Sequence, residues 1–170
     1  MWQHSVDNPV PSISNFGYTL HGISDVNGDG YGEVVVGDPY GCLSGSCLYY
    51  KGTVTLLSGL EGATIWSVES EEDCDKVPSL DHIWNQGCNF GFSLGSTGDL
   101  DEDNKEDIIV GAQGYDGFDP DGANPTEQYY QDVGKVYVYS SSDGSLLWAK
   151  NAGLIENIDY GYGIGVKHDG

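Results

Sequence analysis

Two acidic stretches hold the residues best suited to binding a metal ion. They are Asp25–Glu33 (DVNGDGYGE) and Asp99–Asp107 (DLDEDNKED), and each places carboxylates or amides at positions 1, 3, 5 and 9 of a nine-residue loop. Calcium takes about six to eight oxygen ligands, and a coiled loop can aim alternate side chains at one point while position 7 offers its backbone carbonyl. The spacing therefore predicts two calcium sites. The predicted ligands are the side chains of Asp25, Asn27, Asp29, Glu33, Asp99, Asp101, Asp103 and Asp107 and the backbone carbonyls of Tyr31 and Lys105.

Position 6 of each loop must allow a sharp turn, and Gly30 and Asn104 are residue types that tolerate a left-handed backbone. An EF-hand would instead end in Glu at position 12 between flanking helices, but position 12 is Val36 or Val110. The other alternative is a pair of solvated acidic turns, which Asp, Asn and Gly also favour.

Each loop leads into a β-branched run, Val34–Val36 or Ile108–Val110, that is typical of a buried strand. An alternating strand follows later in each copy, and then an acidic-Gly pair predicts a hairpin into a strand that ends in tryptophan. The later segments are 52–57, 61–66, 134–139 and 143–148. Four short strands that recur after 74 residues, the spacing from Asp25 to Asp99, predict all-β propeller blades of four-stranded antiparallel sheets.

The two copies also share a Phe-Gly pair nine residues before the loop, at Phe16 and Phe90, and a Gly-led triplet after it. The triplets are Gly37-Asp38-Pro39 and Gly111-Ala112-Gln113. With these elements the chain resembles the FG-GAP repeats of integrin α-subunit-type β-propellers, whose pattern runs Phe-Gly, DxDxDG, Gly-Ala-Pro. The resemblance implies that each calcium loop joins the first two strands of a blade and that its ion stabilises that hairpin.

The predicted organisation is a single propeller segment spanning residues 1–170, with repeat 1 at about 12–68, repeat 2 at about 86–150 and a partial repeat 3 at about 158–170. Asp169 would open a third calcium loop. Because propellers close with about four to eight blades, the missing blades are expected either in a longer parent chain or in other copies. Exchange of strands between copies would give a ring or a filament.

The chain carries six basic and 27 acidic residues, and its net charge of −21 argues against nucleic acid as a partner. No apolar run is long enough for a membrane helix. The spacing of the four cysteines favours Cys42–Cys47 and Cys74–Cys88 disulfides over a zinc site, although four cysteines allow three pairings. Disulfides predict an extracellular location, secreted or at the cell surface.

No nucleophile beside a base and no histidine-rich metal site is evident, so a non-catalytic role is expected. The predicted function is an extracellular calcium-binding propeller repeat protein with a structural, adhesion or assembly role. Its expected partners are other blades, copies of itself, or a protein or glycan ligand. The alternative is the propeller part of a secreted carbohydrate-active or other hydrolytic enzyme.

Overall fold

The computed structural model describes residues 14–43, 51–70, 87–118, 129–130 and 133–151, and these ranges contain strands and turns but no helix. Accordingly, no helix in these ranges is long and apolar enough to cross a membrane. The strands are β1 (Thr19–Gly22), β2 (Val34–Asp38), β3 (Thr53–Leu57), β4 (Thr64–Glu69), β5 (Phe90–Ser96), β6 (Ile108–Ala112), β7 (Gly117–Phe118), β8 (Tyr129–Tyr130), β9 (Lys135–Tyr139) and β10 (Leu146–Asn151).

Two four-stranded antiparallel sheets dominate the described part of the chain. The first has the order β1-β2-β3-β4 and the second has the equivalent order β5-β6-β9-β10. The short strands β7 and β8 form a separate antiparallel ribbon within the insertion of the second copy. The prediction of four-stranded blades is confirmed, because β-branched runs such as Val34–Val36 pair with strands on both sides.

The predicted hairpin turns are present at the outer edge of each sheet. Gly62 and Gly144 have left-handed backbones, with φ of 69° and 74°. In the first turn Ser58 N donates to Ala63 O, and in the second Ser140 N donates to Ser145 O. The acidic-Gly pairs thus supply the positive φ that these turns need.

One expectation about local structure was wrong. The outer strands do not end at tryptophan, since β4 continues past Trp66 to Glu69 and β10 continues past Trp148 to Asn151. Their pairing with β3 and β9 extends over these additional residues. In the insertion that follows β6, Tyr115 is buried and strand pairing begins at Gly117.

The hydrophobic core lies between the two sheets. Phe90 is fully buried at its centre, and its ring meets Tyr137 edge-on with the ring centroids 5.1 Å apart. From the first sheet, Val35, Val54 and Leu56 belong to the same cluster and are fully buried. Burial of such side chains, worth about 1.5–3 kcal/mol each, fixes the first blade against the second.

Glycines let the backbones of the two sheets meet. A Cβ added to Gly37 on β2 would lie 2.2 Å from the carbonyl oxygen of Gly91 on β5. Gly91 itself has a φ of 85°, which is unfavourable for residues with a side chain. The glycine of the second Phe-Gly pair, Gly91, therefore lies at the contact between the blades.

Neither of the two described cysteines, Cys42 and Cys88, is free. The predicted partners Cys47 and Cys74 lie outside the described residues, so the pairing stays a prediction. Asp169 and the partial repeat at about 158–170 also lie outside them. The predicted repeat bounds remain predictions as well.

Candidate metal centres

Each predicted loop connects the first two strands of its sheet. The first loop lies between β1 and β2, and the second lies between β5 and β6. Val36 and Val110, at position 12, lie within buried strands instead of a loop. This placement excludes an EF-hand geometry for both loops.

The backbone turns sharply twice in each loop. Gly30 and Asn104 at position 6 have φ of 88° and 67°, so the predicted left-handed turn is confirmed. Position 4 has the same conformation, with φ of 83° at Gly28 and 64° at Glu102. The position-4 turn of the second loop was not predicted from the sequence, because Glu is not a residue type that signals a left-handed backbone.

The position-1 carboxylates hold the coil together. Asp25 accepts hydrogen bonds from the backbone N–H groups of Asp29 and Gly30 at 3.2 and 2.7 Å. Asp99 accepts equivalent bonds from Asp103 N and Asn104 N at 3.0 and 2.7 Å. The two loops are therefore built on the same pattern of hydrogen bonds.

The position-9 carboxylates are the buried members of each site. Glu33 is 1% exposed and Asp107 is 0% exposed. One oxygen of each accepts the backbone N–H of position 2, at 2.8 Å from Val26 and 2.7 Å from Leu100. The other oxygen, Glu33 Oε1 or Asp107 Oδ1, is buried without a hydrogen-bond partner.

Three acids of each loop converge. Asp25, Asp29 and Glu33 each offer one oxygen, and these oxygens lie within 4.8 Å of one another. In the second loop the converging acids are Asp99, Asp101 and Asp107, at positions 1, 3 and 9 instead of 1, 5 and 9. Donor sets made of oxygen suit hard divalent cations.

The remaining predicted ligands flank these groups. Asn27 lies beside its group, and its amide nitrogen donates to Asp29 at 3.0 Å. Asp103 is not among the converging acids of the second loop and accepts hydrogen bonds from Lys105 N and from the Ser142 hydroxyl. Tyr31 N likewise donates to Asp29, and the ligand role of the Tyr31 and Lys105 carbonyls stays a prediction.

The electrostatics separate the buried acids from the exposed ones. Burial raises the pKa of Glu33, and the nearby Asp25 and Asp29 carboxylates raise it further. Burial also raises the pKa of Asp107, with added repulsion from Asp101 and Asp103. Both position-9 acids thus lack the positive charge that would stabilise their ionised form.

Hydroxyl groups of the outer hairpin turns support the loops, which the sequence did not predict. The Ser58 hydroxyl donates to Asp29 at 3.0 Å. In the second sheet the Ser142 hydroxyl donates a hydrogen bond to Asp103 and accepts one from Lys105 Nζ at 2.9 Å. Hydrogen bonds lower the pKa of both carboxyls. The largest contribution comes from the Asn27 amide for Asp29, with a smaller one from Ser58, and from Ser142 for Asp103. Serine in a turn gives no signal of such a contact in the sequence.

A second group of polar residues joins the two sheets. His21 Nε2 lies 3.2 Å from Ser96 Oγ, and Ser96 also contacts the Glu106 carboxylate. Glu106 Oε1 accepts the backbone N–H of Ser24 at 2.6 Å. In a Ser-His-acid triad the imidazole lies between hydroxyl and carboxylate, whereas here the hydroxyl is the middle group.

The comparison with protein families identifies the repeat. Residues 16–57, from the Phe-Gly pair through the first loop to the end of β3, match the model of the FG-GAP repeat. This part of the chain carries an FG-GAP repeat. FG-GAP repeats form β-propeller blades, and the two four-stranded sheets, which have the same strand order, are two such blades.

Relatives of this FG-GAP chain include integrin α-subunits. It is 35% identical to mouse integrin alpha-IIb over 101 residues, which is 58% of this chain and 8% of that protein. It is 28% identical to mouse integrin alpha-3 over 160 residues, covering 86% of this chain and 12% of that protein. Another relative, phosphatidylinositol-glycan-specific phospholipase D of Dictyostelium discoideum, is 28% identical over 83% of this chain and 15% of its own length. The chain thus spans a small fraction of each.

Proposed function

We propose that this chain is an extracellular calcium-binding β-propeller segment with a structural, adhesion or assembly role, in which calcium rigidifies the β1–β2 and β5–β6 hairpins. The observation that best supports calcium is the unpartnered buried oxygen of Glu33 and of Asp107, which recurs in both loops. A buried polar atom without a partner is costly. A bound cation would satisfy that oxygen and neutralise the converging acids.

The extracellular location rests on three observations. Integrin α-subunits are among the relatives, Cys42 and Cys88 are not free thiols, and extracellular modules bind calcium at about 10⁻⁴–10⁻³ M. The Cys42–Cys47 and Cys74–Cys88 disulfides belong to the same proposal. A third site at Asp169 belongs to it too.

The proposed partner is another blade, in a longer chain or in a second copy. In the first sheet Trp66 packs against the neighbouring blade and donates from Nε1 to Ser141 O at 2.9 Å. Its counterpart in the second sheet, Trp148, is 45% exposed, and Leu146 on the same strand is 44% exposed. An exposed indole at the equivalent position suits a further blade or a protein or glycan ligand.

The proposed role is non-catalytic. The carboxylates that converge are those of the two loops, and the serine of the His21, Ser96 and Glu106 group is not activated by an imidazole placed between it and an acid. The second candidate function is the propeller part of a hydrolytic enzyme, favoured by the relative named a phospholipase D. Turnover of a phospholipid or glycan substrate by this chain, lost in Ser96→Ala, would favour that candidate.

Calcium titration of the metal-stripped chain tests the main proposal. Isothermal titration should give binding at the two described loops, with a third event if Asp169 opens a further site, and thermal unfolding should occur at a higher temperature with calcium. A site occupied at a hundredfold excess over Kd stabilises the fold by about 2.7 kcal/mol. Absence of both heat and thermal shift at millimolar calcium would contradict the proposal.

A further inference from the structure

The side chain of Glu106 leaves its own loop and reaches the other blade. Glu106 is position 8 of the second loop, between two predicted ligands, Lys105 and Asp107. Its Oε1 accepts the backbone N–H of Ser24 at 2.6 Å, and Ser24 immediately precedes Asp25, the first ligand of the first loop. One short hydrogen bond therefore connects the end of one candidate site with the start of the other.

The Glu106 carboxylate is held firmly in this position. It accepts hydrogen bonds from Ser24 and Ser96, and His21 lies close to it. Ser96 lies on β5 and His21 lies on β1, so the network is anchored on both blades. An ionised acceptor makes a hydrogen bond about twice as strong as a neutral one.

The connection runs from the second loop to the first. Position 8 of the first loop is Gly32, which has no side chain. A Cβ at Gly32 would lie 2.5 Å from the carbonyl oxygen of Ile23, so the first loop has no space for a side chain at this position. Of the two loops, only the second therefore has a side chain at position 8 that can reach the other sheet.

We propose that Glu106 couples the two candidate metal sites, so that a divalent cation in one loop favours binding of a second cation in the other. This inference rests on the proposed function of both loops. A cation held by Asp107 fixes the adjacent Glu106, which then holds Ser24 and presents Asp25 in its binding position. By thermodynamic linkage, the first site strengthens the second by the same factor.

Calcium binding to single-site variants measures the coupling. Asp29→Ala disables the first site and Asp101→Ala the second, so each remaining affinity can be compared with that of the intact chain. Affinity at either site should fall about fivefold or more when the other site is disabled, the lower end of typical coupling factors. Independent sites in the intact chain would overturn the inference.

Two substitutions at Glu106 separate the hydrogen bond from the charge. Glu106→Ala removes the acceptor and should reduce the coupling factor to one, whereas Glu106→Gln keeps an acceptor oxygen for Ser24 N and should retain much of the coupling. Glu61→Ala, which removes an equal charge from an exposed turn of the first sheet, serves as the control.

The remaining outcomes are also decisive. Coupling that persists in Glu106→Ala, or is lost equally in both Glu106 variants, would overturn the hydrogen-bond route. A chain that binds no calcium at all would overturn the proposed function, and the coupling with it. Both variants remove the charge, but Ala also removes the rest of the side chain, so equal thermal unfolding of the two without calcium is needed to confirm that a difference in coupling does not arise from misfolding.

Discussion

At the scale of single residues, the position-9 acids combine burial with an unsatisfied oxygen. Exposed carboxylates such as Asp25 can lose a cation and be solvated by water, but Glu33 and Asp107 cannot. Their raised pKa values show that the fold without a cation disfavours their charge. The two acids should therefore affect the metal-free and metal-bound forms in opposite directions.

Glu33→Gln should stabilise the metal-free chain and weaken calcium binding at the first loop. A neutral amide avoids the cost of burying a charge, but it removes a ligand, and we expect a loss of roughly tenfold or more in affinity. Titration calorimetry and thermal unfolding with and without calcium measure both effects. Glu61→Gln is the matched control, and a Glu33→Gln chain that binds calcium normally would refute the ligand role.

The stabilisation by calcium should also diminish as the pH falls. An acid whose pKa is raised by folding favours the metal-free fold at low pH, and this contribution is lost as the pH rises through the raised value. Calcium binds the ionised form, so its effect has the opposite dependence. Melting temperatures measured between neutral pH and the ordinary carboxyl pKa of about 4 should therefore converge with and without calcium. A constant difference would contradict this reasoning.

At the scale of elements, the contact between Gly37 on β2 and Gly91 on β5 controls how closely the blades approach. Gly37→Ala should destabilise the fold by about 1–3 kcal/mol, the usual cost of overpacking, because the new Cβ meets a carbonyl oxygen of the other sheet. Gly98→Ala is the control, since nothing lies within 4 Å of its added Cβ. Denaturant unfolding compares the two, and equal stability would show that the sheets can separate freely.

The sequence predicted the strands and loops well because their signals are local. Alternating carboxylates, position-6 turns and β-branched runs each depend on neighbours in the chain, and the described loops and sheets agree with them. The contacts that complete the site are between distant residues, such as Ser142 with Asp103 and Glu106 with Ser24, which are 39 and 82 positions apart. Such contacts follow from the packing of hairpins and blades, which no local pattern encodes.

At the scale of the whole molecule, the outer strand of the second blade exposes apolar surface. Trp148→Ser should reduce self-association in millimolar calcium, because the exposed indole would lose its contact with a blade of another copy. Light scattering over a range of protein concentrations measures the effect. Leu60→Ser, at an exposed apolar residue in the outer turn of the first sheet, is the control. Association that is equal in both variants would exclude the Trp148 face as the contact.

The position of Trp66 has an optical consequence. Its ring lies against Gly144, and its indole N–H donates to the carbonyl oxygen of Ser141, whose backbone N–H partly opposes the rise in the pKa of Asp107 that burial causes. An indole of the first blade is thereby connected, through Ser141, with the candidate metal loop of the second. In a variant whose other tryptophans are replaced by phenylalanine, calcium should change the fluorescence of Trp66, and Asp107→Asn should abolish the change while Glu33→Gln keeps it. The chain would then contain an intrinsic spectroscopic probe that reports one of its two loops from the neighbouring blade.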